Sequence, residues 1–396
     1  MTTKFELKNY HLTQLQERKK IFSLMFNSLK VDDALFKLST NRLDFALISN
    51  FGQVKTTLNI DYTGDTVYFL VDYRKFDTVL QKFAYAESVN FSVSNSLLKI
   101  YTDTKKDLVN LQITVQSDDS SNITLMDDYE TKTITDYRVD KHHLIVTDDL
   151  INNINLFNNL FDTNGRVNAI GLSNTDAYYS DRSVVVKSTL AEPLSDDLFE
   201  GLPEDDRYIY LHTDTTKLIN LLYTYHNDFY FDMNYDILFW ENGDTHVIFQ
   251  NDIKNVVLPT DEQWEGIKPV NKDVNFSVNI VDFSNILDFF NGIYVETSWK
   301  PLSISTVANT SVTATYTNPL AEATKEFDGI TCGYTGRFVL DADTLKKIIS
   351  KEKDIVSEET NVTFVFDEDT CEEQAPGILI KIGDRFEAVM SKLNEQ

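Results

Sequence analysis

Val71-Asp72-Tyr73-Arg74-Lys75-Phe76-Asp77-Thr78-Val79-Leu80 is the stretch on which the fold turns. It reads as a strand end, an aspartate placed to open a helix, and about three helical turns with one apolar stripe. At about 100° per residue, Phe76, Val79, Leu80 and Phe83 fall on one face. The alternating strands VNFSVSN and LLKIYTD follow. The same order returns at Leu211-His212-Thr213-Asp214-Thr215-Thr216-Lys217-Leu218-Ile219, ahead of DFYFDMNYDILFWENGD. It returns again at Leu340-Asp341-Ala342-Asp343-Thr344-Leu345-Lys346-Lys347-Ile348-Ile349, ahead of NVTFVFDED and GILIKIGD. The copies start 140 and 129 residues apart, and one third of the 396-residue chain is 132.

A second pattern is offset from the first: His11 to Leu29, Thr147 to Phe161 and Val281 to Gly292, with starts 136 and 134 residues apart. Each copy is followed by β-type alternation. Two interleaved families at one period predict three tandem domains, each with two helices laid on antiparallel sheets. Intervening runs such as NRLDFALIS, QVKTTLNIDY, LVNLQITV, RSVVVKST, THVIFQND and SVTATYT read as strands. Single-stripe helices on such sheets give an α+β class. The acidic stretches 117–130 and 260–273 mark the boundaries, giving domains 1–130, 131–272 and 273–396. Neither stretch has the length or Gly/Ser content of a flexible linker, so rigid joints are expected.

Hydrophobic residues make up 42% and charged residues 25%, an ordinary globular composition. No apolar run approaches the roughly 18 residues of a membrane span, and Met1 to Tyr10 does not read as a secretory signal. Two cysteines, Cys332 and Cys371, cannot build a disulfide scaffold or a four-thiolate zinc site, so a reducing cytoplasm is the expected location. The net charge of −26, from 62 acidic and 36 basic residues, argues against an open surface that grips nucleic acid through its phosphates. The basic residues nevertheless concentrate on the repeated helices: Arg18, Lys19, Lys20, Arg74, Lys75, Lys82, Lys217, Lys346, Lys347, Lys351 and Lys353. The helix at Thr147–Phe161 instead exposes Asn152, Asn155 and Asn159, and that at Val281–Gly292 exposes Asn285 and Asp288.

Period, order and charge placement together resemble the bacterial β-type DNA sliding clamp. The resemblance is strongest at VDYRKFDTVLQKF…VNFSVSNSLLKI and at the C-terminal GILIKIGDRFEAVMSKL, which looks like that family's last strands and its terminal "VMPMRL". The middle-domain signature "ATDGHRLAV" is present only in part, as Tyr179-Ser180-Asp181-Arg182-Ser183-Val184-Val185. The missing Gly-His pair suggests a divergent, phage-encoded member. The resemblance implies a head-to-tail dimeric ring with pseudo-sixfold symmetry around duplex DNA, its channel lined by the eleven basic residues above. It also implies a DNA polymerase and an ATP-driven clamp loader as partners, with no cofactor, metal or catalysis. A partner-peptide cleft would involve Val167, Ser180, Arg182, Ser183, Pro269, Phe276, Ala388 and Met390. A ring retains DNA topologically, so a thin basic lining suffices and an acidic exterior is no obstacle. The LVNLQITV edge (108–115) is expected to pair with a strand of the third domain across subunits. The rival reading is an acidic, β-rich phage tail or baseplate protein, in whose shell short basic helices at a fixed period have no evident purpose.

Catalytic motifs are absent from the sequence: no Walker A, no G-x-G-x-x-G, no G-x-S-x-G and no H-x-x-x-H. His142 and His143, adjacent in a strand, point to opposite faces and cannot share one metal. Asp367-Glu368-Asp369 lacks the glycine and the distal glutamate of a calcium loop.

Overall fold

The computed structural model describes residues 2–104, 107–117, 120–131, 142–160, 169–181, 184–202, 208–252, 261–269, 274–293, 300–318, 321–366 and 377–391. Within them one order of elements occurs three times. It runs first through β1 (Thr3–Lys8), α1 (Asn9–Glu17), α2 (Lys19–Leu29), β2 (Asp33–Ser39), β3 (Arg42–Ser49) and β4 (Gly52–Asn59). It continues through β5 (Val67–Asp72), α3 (Tyr73–Lys82), β6 (Ser88–Val93), β7 (Leu97–Tyr101) and β8 (Leu108–Gln116), after which α4 (Ser121–Thr131) follows. The second pass begins with β9 (His142–Ile145), α5 (Asp148–Leu160), β10 (Ala169–Leu172), β11 (Asp176–Ser180), β12 (Val184–Thr189) and β13 (Ile209–His212). It then has α6 (Thr213–Leu222), β14 (Asp228–Phe231), β15 (Ile237–Asn242), β16 (Thr245–Gln250) and a following α7 (Asp261–Ile267). The third begins with β17 (Asn275–Asn279), α8 (Ile280–Asn291), β18 (Pro301–Val307), β19 (Ser311–Asn318), β20 (Ala321–Glu326) and β21 (Gly336–Asp341). It ends with α9 (Ala342–Lys353), β22 (Asn361–Val365), β23 (Ile378–Ile382) and β24 (Phe386–Met390).

The chain divides into two compact units, residues 1–146 with 214–252, and residues 147–213 with 253–396. The first holds a 12-stranded antiparallel sheet, β1-β6-β7-β8-β5-β2-β3-β4-β16-β15-β14-β9. In the second, eight strands form β13-β10-β11-β12-β24-β23-β22-β17 and four form β20-β19-β18-β21. Pairing repeats with the elements. The first strand of each pass pairs with the sixth, as in β1·β6, β9·β14 and β17·β22. The second pairs with the fifth, as in β2·β5, β10·β13 and β18·β21.

The helices start where capping chemistry predicts. Asp72 accepts from Lys75 N at 2.9 Å, Asp341 from Thr344 N at 3.0 Å, Asn279 from Val281 N at 2.8 Å, and Thr147 from Leu150 N at 3.2 Å. The expected single helix from His11 to Leu29 is broken at Arg18 into α1 and α2. Each helix buries one stripe: Tyr73, Phe76, Val79 and Leu80 on α3, and Ala342, Leu345, Ile348 and Ile349 on α9. Phe36 stacks on Phe69 at 4.7 Å and meets Phe76 edge-on at 4.9 Å, while Phe276, Phe283 and Phe364 form the counterpart in the second unit.

The stretches read as boundaries carry helices as well. α4 seats Met126 against Leu35 and Ile48, and α7 seats Trp264 against Val365, Leu379 and Val389. Ile123, Leu125, Met126 and Tyr129 supply the apolar side of α4, and Trp264 and Ile267 that of α7. Their packing surface lies on the opposite side of strands whose inner residues fill the helix-side core.

In the second unit α5 packs on α9. Asp149 on α5 receives Arg385 Nη2 at 2.9 Å and the Ala191 amide at 2.8 Å. Glu352 on α9 is fully buried, and neither carboxyl oxygen has a hydrogen-bond partner. Burial pushes its pKa up to about 7; Arg385 and Lys351 pull it down and Asp149 pushes it further up. The folded state therefore binds this proton more tightly than the unfolded chain does. Its contribution to stability is complete below the ordinary glutamate pKa and is lost as the pH rises toward 7. Glu352→Gln is expected to match wild type near pH 4.5 and to be more stable by up to about 3 kcal/mol at pH 8. Urea unfolding at both pH values measures it; an equal loss of stability in the variant would sink the assignment.

Candidate nucleic-acid interface and partner cleft

The helices hold the basic residues on the side away from their apolar stripes. On α3, Arg74, Lys75 and Lys82 are exposed beside buried Tyr73, Phe76 and Val79. On α6, Lys217 is exposed while Thr215, Thr216, Leu218 and Ile219 are buried. On α9, Lys347 is exposed and Lys346, Lys351 and Lys353 are half-buried. Lys20 is exposed at the start of α2, and Lys19 and Arg18 beside it are half-buried.

Their electrostatic partners temper that basic character. Lys19 meets Asp77 at 3.2 Å, Lys75 meets Asp72 at 3.4 Å, Lys217 meets Asp214 at 3.5 Å and Lys346 meets Asp288 at 2.9 Å. Exposed pairs of this kind contribute little stability and exchange readily with another anion. The Arg18 guanidinium lies 5.3 Å from the Tyr225 ring centre, and that of Arg74 lies 5.1 Å from the Phe26 ring centre. Lys20, Lys82 and Lys347 make no ion pair among the described residues. In each unit the basic side chains are scattered over the helices, and several have an acidic neighbour. Among the described residues no cluster of His, Cys, Asp or Glu could hold a metal ion, and no helix is long and apolar enough to cross a membrane.

The residues expected around a cleft divide into three groups. Val167, Arg182 and Ser183 lie outside the described residues. Ser180 lies on β11 and Ala388 and Met390 on β24, with β12 between them: β11 pairs with β12, and β12 with β24, where Val184 faces Met390 and Val186 faces Ala388. Ala388 and Met390 are 0% and 1% exposed, and Pro269 is also buried. Phe276 lies farther across the same sheet. It sits on β17, with β22 and β23 between it and β24, hence roughly 14 Å away at the usual strand spacing. There it stacks on Phe364 at 5.0 Å in the core.

The outer face of the same sheet carries a feature that sequence reasoning passed over. Lys268 is 8% exposed, lies 4.8 Å from the Trp264 ring centre, and bonds Glu265 at 2.8 Å and Glu387 at 2.7 Å. Lys381 bonds Glu387 from the other side at 2.9 Å. Burial alone would raise the Glu387 pKa, but hydrogen bonds from Lys268 and Lys381 outweigh it and hold the carboxyl below the usual range. This bracket fastens α7 over β23 and β24. The only sequence signal was a tryptophan inside an acidic stretch, WEGIK (264–268).

No protein-family model matches the sequence, and no curated protein matches it. Solved structures do match, over the whole chain. A protein described as a DNA polymerase III beta subunit from Eubacterium rectale superposes with a TM-score of 0.72 at 12% identity, covering 99% of this chain and 100% of its own. The C. crescentus beta sliding clamp gives 0.69 at 13% identity, covering 100% of both chains. The Helicobacter pylori beta clamp, solved with a DNA ligase peptide bound, gives 0.67 at 10% identity, covering 99% of this chain and 100% of its own. This chain has the fold of the bacterial β sliding clamps. At 10–13% identity the clamp fold persists while nearly every side chain differs, because pattern and pairing, rather than particular residues, specify the sheets.

The bracket around Glu387 makes Trp264 the test of what holds α7 down. Trp264→Ala is expected to destabilise the protein by about 3–5 kcal/mol, read from urea unfolding. A change below about 1 kcal/mol would mean that α7 is not packed on β24 in solution.

Proposed function

We propose that this chain is a DNA sliding clamp: two copies close head to tail around duplex DNA and tether a replicative polymerase, with no catalysis of their own. The full-length clamp fold carries this reading, joined to basic residues on the repeated helices of a chain whose net charge is −26. In this reading the clamp domains span residues 1–130, 131–272 and 273–396. Arg18, Lys19, Lys20, Arg74, Lys75, Lys82, Lys217, Lys346, Lys347, Lys351 and Lys353 face the duplex, and an ATP-driven loader opens the ring in the cytoplasm. Topological retention favours weak phosphate contacts, since each fixed one would add drag to sliding. Ion pairs such as Lys19–Asp77 suit that need, because they lower the charge offered to the duplex without removing it.

Loading onto circular DNA tests the reading. A clamp should stay on a nicked circle in high salt and fall off once the circle is cut. Arg74→Ala, Lys75→Ala and Lys82→Ala each remove a cation that can neutralise one phosphate. Each should lower the slope of log affinity against log salt by about one. Equal retention on linear and circular DNA would end the hypothesis. Light scattering separates the clamp, a discrete dimer, from a virion component, which would form a monomer, a trimer or a polymer.

We place the polymerase peptide cleft at Ser180, Pro269, Ala388 and Met390, with Val167, Arg182 and Ser183. Methionine suits a cleft that accepts several partners, because its thioether repacks around different anchors. Met390→Ala is expected to weaken binding of a polymerase-derived peptide by roughly 5- to 150-fold while the dimer persists. Met390 is 1% exposed, so a thermal melt must accompany the titration to separate weaker peptide binding from a loosened core. Unchanged affinity in a folded variant would place the cleft elsewhere.

A further inference from the structure

Ten buried side-chain polar atoms lack a hydrogen-bond partner among the described residues, and five of them belong to Asn153, Ser188, Glu352 and Arg385 of the second unit. These four stand on elements that meet. α5 packs on α9. The turn between β23 and β24, residues 383–385, is joined to α5 by Arg385 Nη2 on Asp149 at 2.9 Å. It is joined to the end of β12 by the Thr189 amide on Arg385 O at 2.7 Å. Asn153 stands one turn along α5 from Asp149 and donates its Nδ2 to Asp149 O at 3.0 Å. Buried polar groups are normally paired, so such a concentration calls for a physical reason.

Two of these groups complement each other. The Nε–H of Arg385 is buried without an acceptor, and both carboxyl oxygens of Glu352 are buried without a donor. Among charged groups Arg385 acts most strongly on that carboxyl, ahead of Asp149 and Lys351. Other charges on the surrounding elements are exposed: Asp148 on α5, Asp282 and Asp288 on α8, Asp384 in the turn, Glu192 beyond β12, and Asp354 past α9. Lys351 and Lys353 flank Glu352 on its own helix, where neighbours one position apart do not face each other. Arg385 is therefore the cation available to an ionised Glu352.

We propose that Arg385 is a shared cation: it bonds Asp149 alone while Glu352 carries its proton, and it bridges Asp149 and Glu352 through Nε once that proton has passed to water. A guanidinium presents its donors in a fixed fork, so Nη2 keeps Asp149 while Nε takes the second carboxylate. The Glu352 pKa of about 7 puts the change near neutrality. Below it, a single ion pair joins α5 to the turn. Above it, one side chain ties α5, α9 and the turn together. β24 begins at this turn and pairs with β12, so the joint between the second and third passes responds to pH.

A double-mutant cycle in the full-length chain tests the switch, read from urea unfolding at one protein concentration and at about pH 5 and about pH 8.5. At the lower pH, Arg385→Gln should raise the unfolding constant by the same factor in wild type and in the Glu352→Gln background. At the higher pH that factor should be about tenfold or more larger where Glu352 is kept, because a buried carboxylate then loses its cation. Arg385→Lys gives a second measurement should Arg385→Gln fail to fold, since it keeps the charge but not the fork. Infrared titration of the Glu352 carboxyl, identified by its loss in Glu352→Gln, should show it ionising at a higher pH in Arg385→Lys than in wild type. Coupling between Glu352 and Arg385 that is equal at both pH values, or absent at both, would overturn the inference. So would a carboxyl titration that Arg385→Lys leaves unmoved.

Discussion

Every strand pair among the described residues is antiparallel, and the constraint behind the whole arrangement is that main-chain N–H and C=O groups along a strand edge must find partners. Within each pass of the repeat, two three-strand meanders satisfy most of that demand and leave an edge on each. The chain meets it by setting β4 against β16 and β12 against β24, so that sheets run on from one pass into the next. Side chains then reinforce a junction already made by the backbone. Thr56 and Thr245 share a hydroxyl hydrogen bond of 2.8 Å, and Val186 lies opposite Ala388. Such a joint tolerates sequence change, because its hydrogen bonds belong to no particular residue type. That is consistent with a fold kept at 10–13% identity to solved clamps.

Helices and charge follow from the sheets. Each sheet needs one face covered, and short helices with a single apolar stripe do this while turning their other side to solvent. Lysines on that side are compatible with packing and carry whatever field the protein offers to an anion. The strands and loops supply most of the acidic excess. Pairs such as Lys346–Asp288, between α9 and α8, set acid and base together at the helix surface. A lattice of weak pairs gives a field that is soft and readily screened. A protein that had to hold one phosphate in place would need a different arrangement, with converging donors in a concave site.

Much of this was legible in order and spacing. Asp72 and Asp341 announced helix starts, the alternation of VNFSVSN announced β6, and the period of about a third of the chain announced the repeat. α4 and α7 were passed over because the acidic residues around Met126 and Trp264 made both stretches read as solvated boundaries. The buried glutamate was not legible either. Glu352 sits among Lys351, Lys353 and Asp354 in what reads as a solvated helix end, and it loses its water to elements distant in sequence, α5 and Arg385 among them. The separation of Phe276 from Met390 was not legible for a related reason. Membership of one expected cleft says nothing about strand order, and two strands intervene between them here.

The sequence by itself determined the local chemistry: where helices begin, which face of each is apolar, how strands alternate and how many times the pattern recurs. These are properties of neighbouring residues, fixed by backbone dihedrals and the periods of helix and strand. Tertiary structure alone decided which strand lies beside which, which edges stay open, and which ionisable groups lose their water. Strand pairing joins residues as distant as Thr56 and Thr245 or Val184 and Met390. Main-chain hydrogen bonds carry no residue code, so no local signal can name the partner. Burial of a group such as Glu352 is set by everything that packs around it.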